Sequence, residues 1–255
     1  MIMDKECKIS VITVCYNCVS VIEQTIKSVL EQTYPNIEYI IIDGGSTDGT
    51  VDIIKRYSDR VNYWISEPDK GIYDAMNKGI NRATGKWIHF RNSGDLFFSP
   101  YSISNIFKES IDENTVIIHG DCKFTFKDKS LILNPPGIEK YEKIMPFFHP
   151  SMFVKTSFHK NNLFDSSLRS SADYKFVYQS LKKGIKTQYI PIPVSIYDSR
   201  EGMSVNNWQI ARKEIWKWRN GDSLLSKIKM NIDIISIKIT KALLNLRNNI
   251  YGSKN

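Results

Sequence analysis

Ile37-Glu-Tyr-Ile-Ile-Ile-Asp43-Gly-Gly-Ser-Thr-Asp-Gly-Thr50 is the stretch on which the fold turns. Its opening run is apolar and ends in a carboxylate. A glycine-rich turn follows, and a helical pattern covers residues 50–57. A strand that is apolar on both parities is buried on both faces, which implies a parallel sheet with helices on each side. The neighbouring sequence repeats the arrangement. Upstream, residues 8–15 are a β-branched run, and residues 19–32 carry Val21, Ile22, Ile26, Val29 and Leu30 at helical spacing. Downstream, a strand at 61–66, a helix at 72–83 and a strand at 86–90 follow in turn. Alternating strands and helices predict a doubly wound α/β sheet, and such sheets bind ligands beyond the carboxyl ends of their strands. Tyr16 and Asn17, Asp43 to Asp48, and Arg91 to Asp95 occupy those ends.

The pattern changes after Gly120. Residues 123–134 alternate as a hairpin does, and Pro135, Pro136 and Gly137 break the chain. A short strand at 149–154, a helix at 171–182 and an extended segment at 186–197 come next. The expected organisation is a first half over 1–122, a second half of the same sheet over 123–204, and a helical tail over 205–255 that is interrupted near Asn220 and Gly221.

Hydrophobic residues make up 42% of the 255 and charged residues 24%, an ordinary balance for a globular chain. No stretch reaches the roughly 18 uncharged apolar residues of a membrane-spanning helix. An acidic pair precedes the first apolar run and no small-residue cleavage site follows it, so no secretory leader is expected. Cys15 and Cys18 have CxxC spacing, but no second pair completes a zinc site, and four cysteines make no disulfide framework at this size. Reduced thiols and a cytoplasmic location are the expectation.

The net charge of +8 is concentrated in the tail, where residues 205–255 hold ten Lys or Arg against three Asp or Glu. Leu225, Ile228, Ile232, Ile235, Ile239, Ala242, Leu246 and Ile250 recur there at three- and four-residue steps, an apolar stripe on one helix face. Lys227, Lys229, Lys238, Lys241 and Arg247 fall outside the stripe, and Trp208, Trp216 and Trp218 precede it. Basic and aromatic residues in this mixture suit an anionic membrane surface better than nucleic acid. Packing of the same helix on the main lobe or on a second subunit is the alternative.

Two segments attract chemistry. Asn92-Ser93-Gly94-Asp95 follows an apolar strand, and a carboxylate there needs a partner. Mg²⁺ or Mn²⁺ is one, since such ions are often held by one or two carboxylates plus substrate phosphates. A turn in which Asp95 caps the next helix fits the same residues. Asp43 is followed by Gly44 and Gly45, which let the backbone approach a flat ligand, while Ser46 and Asp48 also fit helix caps. His149 is a lone histidine between apolar residues, and a core position suits it as well as a site.

The order of these pieces is more specific than any one of them. Residues 9–17, Ser28-Val-Leu-Glu-Gln-Thr-Tyr34 and Ile41-Ile-Asp-Gly-Gly-Ser-Thr-Asp-Gly-Thr50 resemble the opening of family 2 glycosyltransferases. The likeness continues through Gly71-Ile-Tyr-Asp-Ala-Met-Asn-Lys-Gly79, Ala83-Thr-Gly85, Asn92-Ser-Gly-Asp95, Ser171-Ala-Asp-Tyr174 and Glu201-Gly-Met-Ser204, so it spans about residues 8 to 204. It implies a GT-A fold, a nucleotide-diphosphate donor of UDP type, Mg²⁺ or Mn²⁺, and inversion at the anomeric carbon. Bacterial members build capsule, O-antigen or exopolysaccharide.

Residue by residue, the resemblance puts Tyr16 against the nucleobase, Asp43 at the base and ribose end, and Asp95 on the metal. It makes Asp173 the general base, sets His149 beside the diphosphate or acceptor, and puts Ser204 in a loop that closes over the donor. Asn92 and Lys78 count among the donor contacts, with Lys70 and Arg91 as further diphosphate candidates. The chain departs from the pattern at Gly44, Asn92 and Gly94, where family members usually carry Asp; Asp95 is then the single carboxylate expected on the metal. The implied partners are the sugar nucleotide, a glycan or undecaprenyl-linked acceptor, and the inner face of the cell membrane through the tail. A sugar-nucleotide nucleotidyltransferase and a catalytically silent glycan- or nucleotide-binding protein are the competing classes. The first usually has a basic Gly-rich loop where this chain has Cys-Tyr-Asn-Cys-Val.

Overall fold

The computed structural model describes residues 7–126, 129–198, 208–232 and 234. Its sheet begins with β1 (Ile9–Cys15), β2 (Ile37–Asp43), β3 (Tyr63–Ser66) and β4 (Trp87–Phe90), joined by α1 (Ile22–Leu30), α2 (Thr50–Arg56) and α3 (Ile72–Arg82). The four strands are parallel in the order β3-β2-β1-β4. Both parities of these strands are apolar because each faces a helix layer. Ile9, Val11, Tyr39 and Ile41 pack with Ile22, Ile26, Val29 and Ile54 of α1 and α2. Ile12, Val14, Ile40 and Ile42 pack with Tyr73, Met76 and Ile80 of α3. The register aligns Cys15 with Asp43 and Asp43 with Ser66, so three polar or thiol side chains meet at the carboxyl ends of adjacent strands.

The second half changes direction. After β5 (Leu96–Phe97) and α4 (Ser102–Lys108) comes β6 (Thr115–Thr125), which forms a hairpin with β7 (Ser130–Leu133). β8 (Met152–Lys155) pairs antiparallel with both β4 and β6. α5 (Thr156–Lys160) and α6 (Ala172–Lys182) lead to β9 (Lys186–Asp198), parallel to β6 and antiparallel to β5. Among the described residues all nine strands form one sheet, in the order β3-β2-β1-β4-β8-β6-β9-β5 with β7 beside β6. The doubly wound parallel half expected from the sequence thus runs on into a mixed half. Strand β6 carries the sheet straight across residues 122 and 123.

The chain forms one compact unit up to Gly202 and a second from Met203 onward. In the second, α7 (Trp208–Asn220) ends at Gly221, whose φ of 75° breaks the helix before residues 224–232 resume as helix. The Trp216 indole N–H donates to Ser226 Oγ at 2.8 Å and ties the two helical pieces together.

Candidate active site

One end of the candidate site is built where β1 and β2 stop. Asp43 has no exposed surface, and its carboxylate is engaged on every side. Oδ2 accepts from the backbone of Gly45 and Ser46 (3.1 and 2.9 Å) and from Ser66 Oγ (2.6 Å). Oδ1 accepts from Ser46 Oγ (2.5 Å) and the Cys15 thiol (3.4 Å). Five protein donors offset the cost of burying the charge, and Asp43 fixes the loop rather than offering an open oxygen. The loop after β1 is fastened to it. Asn17, at φ 45°, donates its N–H to Ser46 Oγ (2.7 Å) and accepts from Thr47 N–H (2.9 Å). Val19 N–H reaches Asp48 Oδ2 at 2.9 Å. Tyr16 stands out from this joint with 63% of its surface exposed, an open aromatic face at the strand ends.

A second loop, between β3 and α3, borders Tyr16. Lys78 is engaged within it, pairing with Glu67 at 2.8 Å and donating to the Pro68 carbonyl at 3.1 Å. Lys70 is exposed, and its N–H donates to Asp74 Oδ2, closing the first turn of α3. Asp69 Oδ1 accepts from Gly71 N–H at 2.8 Å. Asp69 Oδ2 reaches over Gly44 toward the Tyr16 ring. A Cβ on Gly44 would lie 2.5 Å from that oxygen and 3.3 Å from Tyr16 Cδ2.

Beyond β4, the segment 92–95 is held from both sides. Ser93 N–H bonds the Val14 carbonyl (3.2 Å), and Gly94 N–H bonds Thr25 Oγ1 (2.9 Å). Asp95 is half-buried and its carboxylate makes no hydrogen bond among the described residues. Burial pushes its carboxyl up to about 6, against the pull of Arg91. Asn92 Oδ1 is buried and likewise without a donor.

Arg91 itself is fully buried. It donates to the Leu96 carbonyl (3.0 Å), Ser195 Oγ (2.9 Å) and His89 Nε2 (2.6 Å), with its guanidinium 3.9 Å from the centre of the Phe97 ring. His89 accepts that bond because burial, with the adjacent Arg91 charge, holds it neutral. The structure therefore puts Arg91 beneath the site as a fixed cation rather than on its surface.

The second half supplies the opposite wall. Asp173 lies in the first turn of α6, and its Oδ1 accepts from the Tyr73 hydroxyl of α3 at 2.9 Å. Burial and the Asp173 charge keep Tyr73 protonated, so it remains the donor. The His149 ring stacks on Phe90 at 5.6 Å. Burial lowers the His149 pKa, with Asp173 acting to raise it and Arg91 to lower it further. Asp173, His149, Arg91 and Asp95 thus form a chain of groups that feel one another's charge. Asp165, the other carboxylate near α6, is paired with Lys175 at 2.6 Å. Ser204 lies outside the described residues.

The glycosyl transferase family 2 model matches residues 10–167. The chain belongs to glycosyl transferase family 2. Its curated relatives are glycosyltransferases too. An uncharacterized one from Mycobacterium tuberculosis is 45% identical over 93 residues, 36% of each chain. TuaG of Bacillus subtilis, whose name places it in teichuronic acid biosynthesis, is 42% identical over 128 residues, 49% of this chain and 47% of that one. The chain therefore aligns with about a third to a half of the length of these relatives.

Two solved structures share the fold. Staphylococcus aureus TarS 1–349, in complex with UDP-GlcNAc, superposes with a TM-score of 0.66 at 18% identity, over 82% of this chain and 65% of that one. The mannosyltransferase PcManGT from Pyrobaculum calidifontis, in complex with GDP-Man and Mn²⁺, gives 0.66 at 17%, over 86% and 65%. The chain has the GT-A fold that its motif order implied.

Whether its residues suit a divalent metal can be judged from the donor atoms. Asp95 and Asn92 present a carboxylate and an orphaned amide oxygen, the hard oxygen donors that Mg²⁺ or Mn²⁺ takes. Among the described residues no cluster of three His, Cys, Asp or Glu gathers around a common point. The set fits an ion held by few protein ligands and completed by substrate phosphate.

Sequence reasoning missed Tyr73, Asp69 and the depth of Arg91. Tyr73 lies 100 residues from Asp173, and no spacing rule links them. Arg91 carried one faint signal, a cation placed directly after an apolar strand.

Proposed function

We propose that this transferase moves one sugar from a nucleoside-diphosphate donor to a hydroxyl of a glycan or lipid-linked acceptor, with inversion at the anomeric carbon. The observation that carries the reading is a pair of half-buried carboxylates, Asp95 after β4, which makes no hydrogen bond among the described residues, and Asp173 in the first turn of α6, whose Oδ1 accepts from the Tyr73 hydroxyl. Asp95 and Asn92 would hold Mg²⁺ or Mn²⁺, which offsets the negative charge that develops on the departing diphosphate. Arg91 adds a fixed positive charge behind them and needs no reorganisation as the bond breaks.

Asp173 takes the proton of the attacking hydroxyl. Tyr73 occupies Oδ1, so Oδ2, which has no hydrogen bond among the described residues, is the oxygen to receive that proton. His149 is uncharged at neutral pH and serves the diphosphate or the acceptor as a hydrogen-bond partner. Tyr16 offers its exposed face to the nucleobase. TarS with UDP-GlcNAc and PcManGT with GDP-Man and Mn²⁺ support a sugar nucleotide and a divalent ion as ligands of this fold. The name of TuaG supports a bacterial surface polysaccharide as the product.

The tail is assigned to the cytoplasmic face of the membrane. Leu224, Leu225, Ile228 and Ile232 are exposed on its second helix, which leaves an apolar stripe facing outward beside Lys227 and Lys229. Ile235, Ile239, Ala242, Leu246 and Ile250 would continue that stripe and lie outside the described residues.

The test is release of nucleoside diphosphate from labelled UDP-, GDP- and dTDP-sugars by the full chain, with Mn²⁺, Mg²⁺ or EDTA. Thermal melting with each donor runs alongside. Metal-dependent release and a raised melting temperature with the same donor are expected. A chain that neither binds nor turns over any sugar nucleotide is not this enzyme.

A further inference from the structure

The two helical pieces of the tail enclose a cleft of about 220 Å³. Residues three and four apart share a helix face, so Lys213, Trp216 and Lys217 of α7 line it from one side, with Lys227 and Asn231 on the other. Ser226 ties these walls together. Its Oγ accepts from the Trp216 indole at 2.8 Å and donates to the Gly221 carbonyl at 3.1 Å. The lysines are less committed. Lys213 and Lys217 are exposed, stand one helical turn apart and make no ion pair among the described residues, and like charges at that spacing repel. Lys227 reaches Asp222 at 3.3 Å, but both side chains are more than half exposed, and such a pair is weak. Three lysines against one carboxylate leave the cleft cationic.

The geometry points to this cleft as the seat of the phosphate of one anionic phospholipid, whose acyl chains leave along the apolar stripe beside it. The assignment rests on the reading of the tail as a membrane anchor and names the lipid chemistry that the anchor recognises. Cleft and stripe share a border. Lys227 follows Leu224 by three residues and Asn231 follows Ile228 by three, which sets a polar cleft residue beside each exposed aliphatic one. Lysine ammonium groups hold phosphate oxygens as point charges, and the Asn231 amide adds two N–H donors. At about 220 Å³ the cleft is smaller than the roughly 300–1,000 Å³ that encloses a drug-sized ligand. It fits the small polar end of a lipid rather than a sugar nucleotide. A diffuse basic tail answers to surface charge alone. A cleft of fixed shape answers to the group that carries the charge.

The experiment measures partition of the full chain onto vesicles of an uncharged galactolipid, brought to equal surface potential with either phosphatidylglycerol or oleate. Phosphatidylglycerol should be preferred by about tenfold, the worth of one hydrogen bond to a charged group. The double variant Lys213→Gln, Lys217→Gln keeps the apolar stripe and should bring the two vesicles to within about threefold of each other. Lys229→Gln removes a lysine that does not line the cleft. It should weaken binding to both vesicles alike and leave the preference intact.

Equal partition of the unaltered chain at matched potential overturns the inference, as does a preference that survives in the double variant or is lost equally in Lys229→Gln. Free glycerol phosphate that displaces the chain from phosphatidylglycerol at a concentration equal to that lipid's would make a soluble phosphate ester the ligand, and overturns the lipid. In each of these cases charge-dependent binding to either vesicle leaves the membrane anchor standing. Failure to bind any charged vesicle would overturn both.

Discussion

Asp173 and Tyr73 meet across 100 residues of sequence, and their bond gives the sharpest test of the acceptor wall. Asp173→Asn should leave donor affinity nearly unchanged and lower turnover by roughly 10² to 10⁴, the usual worth of a positioned base. Equal loss of donor binding and turnover would mark Asp173 as structural. Tyr73→Phe keeps the ring packing on Phe164 and removes only the hydroxyl. It should lower kcat by about tenfold, one hydrogen bond to a charged group, with the donor KM unmoved. On the donor wall, Asp95→Asn should abolish transfer and remove the metal dependence of donor binding. Wild-type turnover of that variant in Mn²⁺ would reassign the metal. The order of motifs singled out Asp95 and Asp173 as candidates in the sequence. It hid the fate of Asp43, because whether a carboxylate is open or saturated depends on Ser66 and Cys15, which only the strand register brings to it. Asp69, Tyr73 and Arg91 were hidden for the same reason.

Among the elements, α3 carries the site's two walls toward each other, and its seat on β1 is tight. A Cβ on Gly79 would fall 2.5 Å from Ile12 Cγ2, a contact with a stiff β-branched side chain inside the sheet. Gly79→Ala should destabilise the fold by about 1–3 kcal/mol, the usual cost of overpacking, read from urea melts. An unchanged midpoint would mean that β1 yields. The tail makes a separate prediction. Full-length protein should float with anionic liposomes at low salt and lose that affinity at high salt, since each basic residue contributes on the order of 1 kcal/mol at such a surface. Removing residues 206–255 should abolish flotation, and equal flotation of both forms would place the lipid contact elsewhere. The elements of the parallel half could be read from the sequence because burial on both faces leaves an unbroken apolar run. β5 could not, since two residues carry no period. The pairing of β6 with β8 and β9 has no local signal at all.

For the whole molecule, buried histidines set the acid limit of stability. His119 and His159 are lowered to about 4 by burial, and His89 is lowered well below its ordinary 6.5 by burial and Arg91. Each binds its proton more readily unfolded than folded. Their contribution is therefore complete above about pH 6.5 and fades as pH falls toward 4, by up to about 1.4 kcal/mol per pH unit for each group. Asp95, raised to about 6, works the other way, but as one group against four histidines, since burial lowers His149 as well. The urea midpoint should drop between pH 6.5 and 5, and a flat profile would contradict the burial of these rings.

The strand order also has a consequence for how the protein is made. β1 to β4 and their helices lie within residues 9–90, whereas Arg91 waits for Ser195, 104 residues later, and Tyr73 waits for Asp173. Local pairings form ahead of distant ones, and synthesis delivers the N-terminal half first. A nascent chain halted after β4 would expose the β4 edge that β8 later covers. Emergence of β8 from the ribosome is the moment at which that bare edge is closed and the two halves become one sheet.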